Sequence, residues 1–141
     1  MSAYWIVVAN AARARIFEAE ATDSAMREVI DLAHPDSRRH AGDLVSDRAG
    51  HVLSGTTGGH SIDRGERAKQ HAADVFAREI CEQLERGRQD QSYRKLYLVA
   101  EPQFLGLLRQ HMGKPLHDVV RAEVAKDLTT AGEKQIREQV M

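Results

Sequence analysis

The chain predicts an α/β domain in which a mixed β-sheet has helices packed on it. Three observations lead there. Tyr4-Trp5-Ile6-Val7-Val8 and Leu96-Tyr97-Leu98-Val99-Ala100 are short, nearly continuous apolar runs, as in strands covered on both faces. Ala12, Ala14 and Ile16 alternate with Arg13 and Arg15, the period of a strand. Ala68, Ala72, Val75, Phe76, Ile80 and Leu84 recur at helical spacing on one stripe.

The elements follow in order. Residues 4–9 form the first strand, and Asn10-Ala11-Ala12 turns the chain into a second, antiparallel one that runs through Phe17-Glu18-Ala19. Thr22-Asp23-Ser24 is a turn cluster. Met26 to Leu32 fits a third strand, which ends at His34-Pro35. Residues 34–65 have no period and predict a long mobile loop, because a stretch of that length without structure of its own is usually functional or disordered. A helix is expected from about Asp63 to Arg86, with Gly87 as its C′ residue. Glu101-Pro102 closes the next strand and opens a helix carrying Phe104, Leu105, Leu107, Leu108 and Met112. Gly113-Lys114-Pro115 is a break, and Leu116 to Val120 is ambiguous. Val120, Ala122 and Val124, alternating with Arg121 and Glu123, favour a last strand. Thr130-Ala131-Gly132-Glu133 has capping-box spacing and opens a C-terminal helix. Strands joined through helices pair in parallel, whereas the hairpin is antiparallel, so the sheet is mixed.

The chain of 141 residues reads as a single domain, with 42% apolar and 29% charged residues. Its formal net charge is -1, so no global charge demands a nucleic acid or a membrane. No stretch has the ~20 apolar residues of a membrane span. No signal peptide is recognisable, and the expected location is the cytoplasm. Cys81 is the only cysteine, which rules out an intramolecular disulfide, and its helical surroundings suggest a small core side chain.

Function is sought first in Ser54-Gly55-Thr56-Thr57-Gly58-Gly59-His60-Ser61-Ile62-Asp63-Arg64-Gly65. These twelve residues hold four of the ten glycines. A Gly-Gly pair leaves main-chain groups uncovered by any Cβ and can press backbone against a ligand. Basic residues surround the segment: Arg38, Arg39, Arg48, Arg64, Arg67 and Lys69 can meet RNA phosphates, although Asp36, Asp43, Asp47, Asp63 and Glu66 share the span. His34, His40, His51 and His60 are spaced by 6, 11 and 9 residues, which matches no zinc pattern, so no metal site is expected. Asp31, Asp36, Asp43 and Asp47 raise a nuclease-like carboxylate set, but three of them lie in the loop rather than converging from strands. Trp5 and Phe104 follow strand and helix periods and read as core.

A Gly-Gly loop feeding a long helix, in this element order, resembles the middle domain of archaeal and eukaryotic peptide-chain release factors. There a Gly-Gly-Gln tripeptide ends the loop; here Gly58-Gly59-His60-Ser61 stands in its place. More specifically, nearly the whole chain is similar to the bacterial host attachment protein family, named as required for attachment to host cells. The residues that carry this similarity are Trp5-Ile6-Val7-Val8-Ala9-Asn10, Ala12-Arg13-Ala14-Arg15-Ile16-Phe17, Phe76-Ala77, Leu96-Tyr97-Leu98-Val99-Ala100, Phe104-Leu105 and Lys126-Asp127-Leu128-Thr129. The resemblance implies a release-factor-like fold of RNase H-like topology. It also implies a ribosome- or tRNA-linked role, with Gly58, Gly59 and His60 acting on peptidyl-tRNA and no cofactor. Two departures matter. His60 replaces Gln, and the chain has no room for a codon-reading domain, so codon or ribosome recognition would fall to a protein partner. Two other readings are a non-enzymatic factor supporting attachment to host cells and, more distantly, an RNase H-like nuclease.

Overall fold

The structure is a computed structural model that describes residues 4–21, 25–33 and 58–140, with backbone only for 58–64. Strands β1 (Tyr4–Ala9), β2 (Arg13–Ala19) and β3 (Arg27–Ala33) precede helix α1 (Gly58–Gln89). Strand β4 (Lys95–Ala100) follows, then α2 (Pro102–His111), α3 (Lys114–Val119), β5 (Val120–Ala125) and α4 (Glu133–Val140). The five strands form one sheet in the order β3-β2-β1-β4-β5. The β1–β2 and β2–β3 pairs are antiparallel, while β1–β4 and β4–β5 are parallel. The expected mixed α/β sheet is therefore present.

Strand β1 sits in the middle because its sequence has no polar face. Trp5, Val7 and Ala9 pack with α1, α2 and α3 on one side; Ile6 and Val8 pack with Leu128 and Ile136 on the other. All five are buried. Strand β2 divides the same way. Ala14 and Ile16 join the first layer, and Phe17 and Ala19 the second. Each edge strand is interrupted. Pairing jumps from Ile16↔Ile30 to Phe17↔Glu28, passing over Val29, and from Leu96↔Val120 to Tyr97↔Ala122, passing over Arg121. Bulges and charged residues on outer strands discourage edge-to-edge pairing with another chain.

Arg15 closes the second layer. Its guanidinium donates to the carbonyls of Thr129 (3.0 Å) and Ala131 (3.1 Å), and pairs with Glu28 (3.1 Å). It also lies 4.8 Å from the Phe17 ring centroid. One side chain thus ties β2 and β3 to the connection that delivers α4.

Three boundaries differ from the sequence expectation. Helix α1 begins at Gly58, not near Asp63, so the segment read as a loop over 34–65 is helical in its last part. Residues 34–57 lie outside the described residues. Gly87 is not the C′ residue either; the helix continues to Gln89 and ends in a Schellman motif. Ser92 N–H donates to Gly87 C=O (2.8 Å), Gln91 N–H donates to Arg88 C=O (3.1 Å), and Gln91 takes the left-handed conformation at φ 59°. Gly87 answers a packing need instead: a Cβ there would stand 2.7 Å from two Trp5 ring atoms. Finally, α4 starts at Glu133, and Ile136 N–H donates to Gly132 C=O, so Gly132 rather than Thr130 occupies the N-cap. The ambiguous stretch before β5 is the short helix α3.

Gly87→Ala should therefore cost about 1–3 kcal/mol in urea unfolding, because Trp5 is stacked on Tyr93 at 4.7 Å and cannot swing away. Gly65→Ala, where nothing lies within 4 Å, should instead be neutral or stabilise by up to ~1 kcal/mol. Equal effects of the two substitutions would contradict the contact role of Gly87.

Candidate functional site

In open α/β sheets, ligands bind beyond the carboxyl ends of the strands where connections diverge. Strand β1 is that point here, with an antiparallel neighbour on one side and a parallel one on the other. Asn10 follows β1, Glu101 follows β4, and Asp127 lies just beyond β5. All three are engaged in holding the chain. Asn10 Oδ1 accepts from the Ala12 and Arg13 amides (2.8 and 2.9 Å). Its Nδ2 donates to Asp127 Oδ2 (3.0 Å) and Thr129 Oγ1 (3.2 Å). The Thr129 amide and hydroxyl donate to Asp127 Oδ1 (3.0 and 2.7 Å). Glu101 caps α2 by accepting from the Phe104 amide. This edge is a closed structural network.

Partial burial on its own raises the pKa of Asp127. The hydrogen bonds from Asn10 and Thr129 outweigh it and hold the carboxyl below its ordinary value. A depressed folded-state pKa contributes stability that is present above the unfolded value and is lost as pH falls through the folded one. Asp127→Asn should thus destabilise the protein at neutral pH. The gap from wild type should shrink as pH drops below the ordinary carboxylate range, read as urea midpoints across pH. A gap that stays constant down to pH 2 would contradict this linkage.

The other reactive groups are equally committed. Cys81 is buried, its thiol donates to Leu108 C=O (3.4 Å), and burial pushes its pKa up to about 12. It is a core side chain, not a nucleophile. Tyr93 donates to Leu84 C=O (2.6 Å). His111 Nε2 meets Asp74 Oδ1 at 2.8 Å, joining α2 to α1. Asp31 pairs with Arg13 on β3. Among the described residues, no group of three or more His, Cys, Asp or Glu could hold a metal ion. Trp5 and Phe104 are buried, in keeping with core positions.

Among the described residues, helix α1 carries a run of exposed positions. It has 32 residues, about 48 Å at 1.5 Å per residue. Its C-terminal end is anchored where Gly87 meets Trp5 at the start of β1. Buried positions run from Ala72 through Ala73, Phe76, Ala77, Ile80, Cys81 and Leu84 to Gly87. Ala68, expected on the apolar stripe, precedes the first of these and is exposed, as are all residues from Gly65 to His71. From Gly65, the first α1 residue with a described side chain, the helix runs about 10 Å to its first described buried position, Ala72. No helix among the described residues is long and apolar enough to cross a membrane.

A family model described as "Protein required for attachment to host cells" matches residues 5–140. The chain belongs to that family. A search of curated proteins returns no match.

In this host attachment protein, Gly58, Gly59 and His60 open α1, and their side chains are outside the described residues. Arg64 follows on the same helix, also with backbone only. Arg67 and Lys69 are exposed on α1, about 160° apart around its axis. Arg38, Arg39, Arg48, His34, His40, His51, Asp36, Asp43 and Asp47 lie outside the described residues. Sequence reading missed the Arg15 and Asn10–Asp127–Thr129 contacts. The side-chain types were visible, but partners more than a hundred residues away were not.

Proposed function

We propose that this host attachment family protein acts on RNA at the ribosome, with peptidyl-tRNA as the substrate class. The observation that carries the reading is the length of α1. A Gly-Gly-His run opens a 32-residue helix on which the described side chains from Gly65 to His71 are all exposed. Such a helix can reach a recessed ester while the sheet stays outside. The first N–H groups of a helix have no intrahelical partner and carry the positive end of its dipole, which suits a developing oxyanion. Glycines at that end keep bulk away from the peptidyl group. His60 can hydrogen-bond the attacking water or serve as its general base. Arg64, Arg67 and Lys69, with Arg38, Arg39 and Arg48, are the candidate phosphate contacts. Recognition of the ribosome or codon falls to a protein partner.

The test is sedimentation with ribosomes, vacant or carrying peptidyl-tRNA, followed by a peptide-release assay. Wild type should favour the peptidyl-tRNA complex, and Gly59→Ala or His60→Ala should lower release about a hundredfold. Failure to pellet in any state would overturn the proposal.

The printed family description favours a second reading, a non-enzymatic factor supporting attachment to host cells. Cell fractionation separates the two, since a direct adhesin is found at the surface.

A further inference from the structure

We infer that the connection after β5 and α4, residues 126–140, form a strap that opens from the sheet as one unit and uncovers a latent apolar face, while the layer of α1, α2 and α3 stays folded. The strap is tied internally. Lys126 Nζ donates to Gln139 Oε1 (2.7 Å), which links its two ends. Between them the Thr129 amide and hydroxyl close on Asp127 Oδ1. The Ala131 amide closes on Leu128 C=O (3.0 Å) and the Ile136 amide on Gly132 C=O (3.1 Å). An opening that starts in one part therefore carries the rest.

The hold on the sheet is narrow. Among the α4 side chains Ile136 is buried, Arg137 and Val140 are half-buried, and the others are exposed. The connection adds Leu128 and Thr129. A helix of eight residues is not stable once it leaves its packing. Polar ties across the boundary come from the β1–β2 hairpin. Arg15 reaches the Thr129 and Ala131 carbonyls, and Asn10 Nδ2 reaches Asp127 and Thr129. When the strap leaves, Asn10 keeps its bonds to the Ala12 and Arg13 amides, and Arg15 keeps Glu28. The hairpin can thus survive the opening. On the opposite face, α1 buries Phe76, Ala77, Ile80, Cys81 and Leu84, a far wider hold.

The centre of the face beneath the strap is apolar. Ile6, Val8, Phe17 and Val99 are fully buried and share one cluster with Leu128 and Ile136. Tyr4, Ala122 and Val124 border that cluster and are half-buried with the strap closed. A contiguous apolar surface of this kind, once open, favours association over solvent.

Native-state hydrogen exchange in low urea tests the strap. In the wild type, the Ala131 and Ile136 amides should exchange through an opening that depends on urea less than that of Ile80 and Leu84, because it exposes less surface. Arg15→Met removes the clasp and should speed exchange at Ala131 and Ile136 about tenfold, the scale of a hydrogen bond to a charged group. Gly87→Ala perturbs the Trp5 contact outside the strap. It should speed Ile80 and Leu84 and leave Ala131 and Ile136 unchanged. If all four amides share one urea dependence, or Gly87→Ala speeds the strap as much as Ile80, the domain opens all at once and the strap is overturned. Unchanged strap exchange in Arg15→Met overturns it as well. Should Arg15→Met fail to fold, the wild-type urea dependence and Gly87→Ala still decide.

Discussion

Everything in this fold is arranged around a strand that has no polar face. With Trp5, Val7 and Ala9 on one side of β1 and Ile6 and Val8 on the other, neither face of the sheet centre can meet water. The chain must cover both. On one face α1, α2 and α3 do so with a continuous apolar layer. On the other, among the described residues, the cover is the eight-residue α4 and the connection before it. A helix that short does not hold itself in place. The carbonyl contacts from Arg15, and the Asn10–Asp127–Thr129 network at the strand ends, fix that connection to the sheet. Polar groups that would be expected to face a ligand at the carboxyl edge are thereby engaged in closing the core.

That division explains where function has room to reside. Cys81, Tyr93, Asp127 and the His111–Asp74 pair all have internal partners, and each serves packing or cohesion. On helix α1 the described side chains from Gly65 to His71 are all exposed. Its C-terminal half carries the aromatic and aliphatic contacts, down to the Trp5–Gly87–Tyr93 stack. Its N-terminal half carries glycine, histidine and arginine, residues that contribute little to a core.

The strands were legible because their periods are local. The apolar runs of β1 and β4 and the alternation of β2 each announce themselves within a few residues, and the mixed pairing follows from the connections. The helix ends were less legible. Gly87 has the residue type of a C′ position, yet its role is set by an indole more than eighty positions away, while Gln91, an unusual residue for the left-handed conformation, ends the helix. Thr130 and Glu133 satisfy the capping-box spacing, but the turn closed by the Ala131 amide on Leu128 C=O moves the helix start to Gly132. The start of α1 was hidden because glycines signal loops by propensity, and propensity yields to context. Of the candidate site, the Gly-Gly-His run was visible in the sequence; its place in the first turn of α1 was not.

The most direct test of this account is hydrogen exchange, resolved along α1, with and without ribosomes. In the free protein, amides from Phe76 to Leu84 should exchange slowly and those from Glu66 to His71 much faster, since only the former lie over a packed core. On addition of ribosomes, protection should rise in the 66–71 segment and leave the sheet unchanged. Protection that appears on β3 or α4 instead, with α1 unaffected, would contradict the claim that the exposed segment of α1 is the working surface.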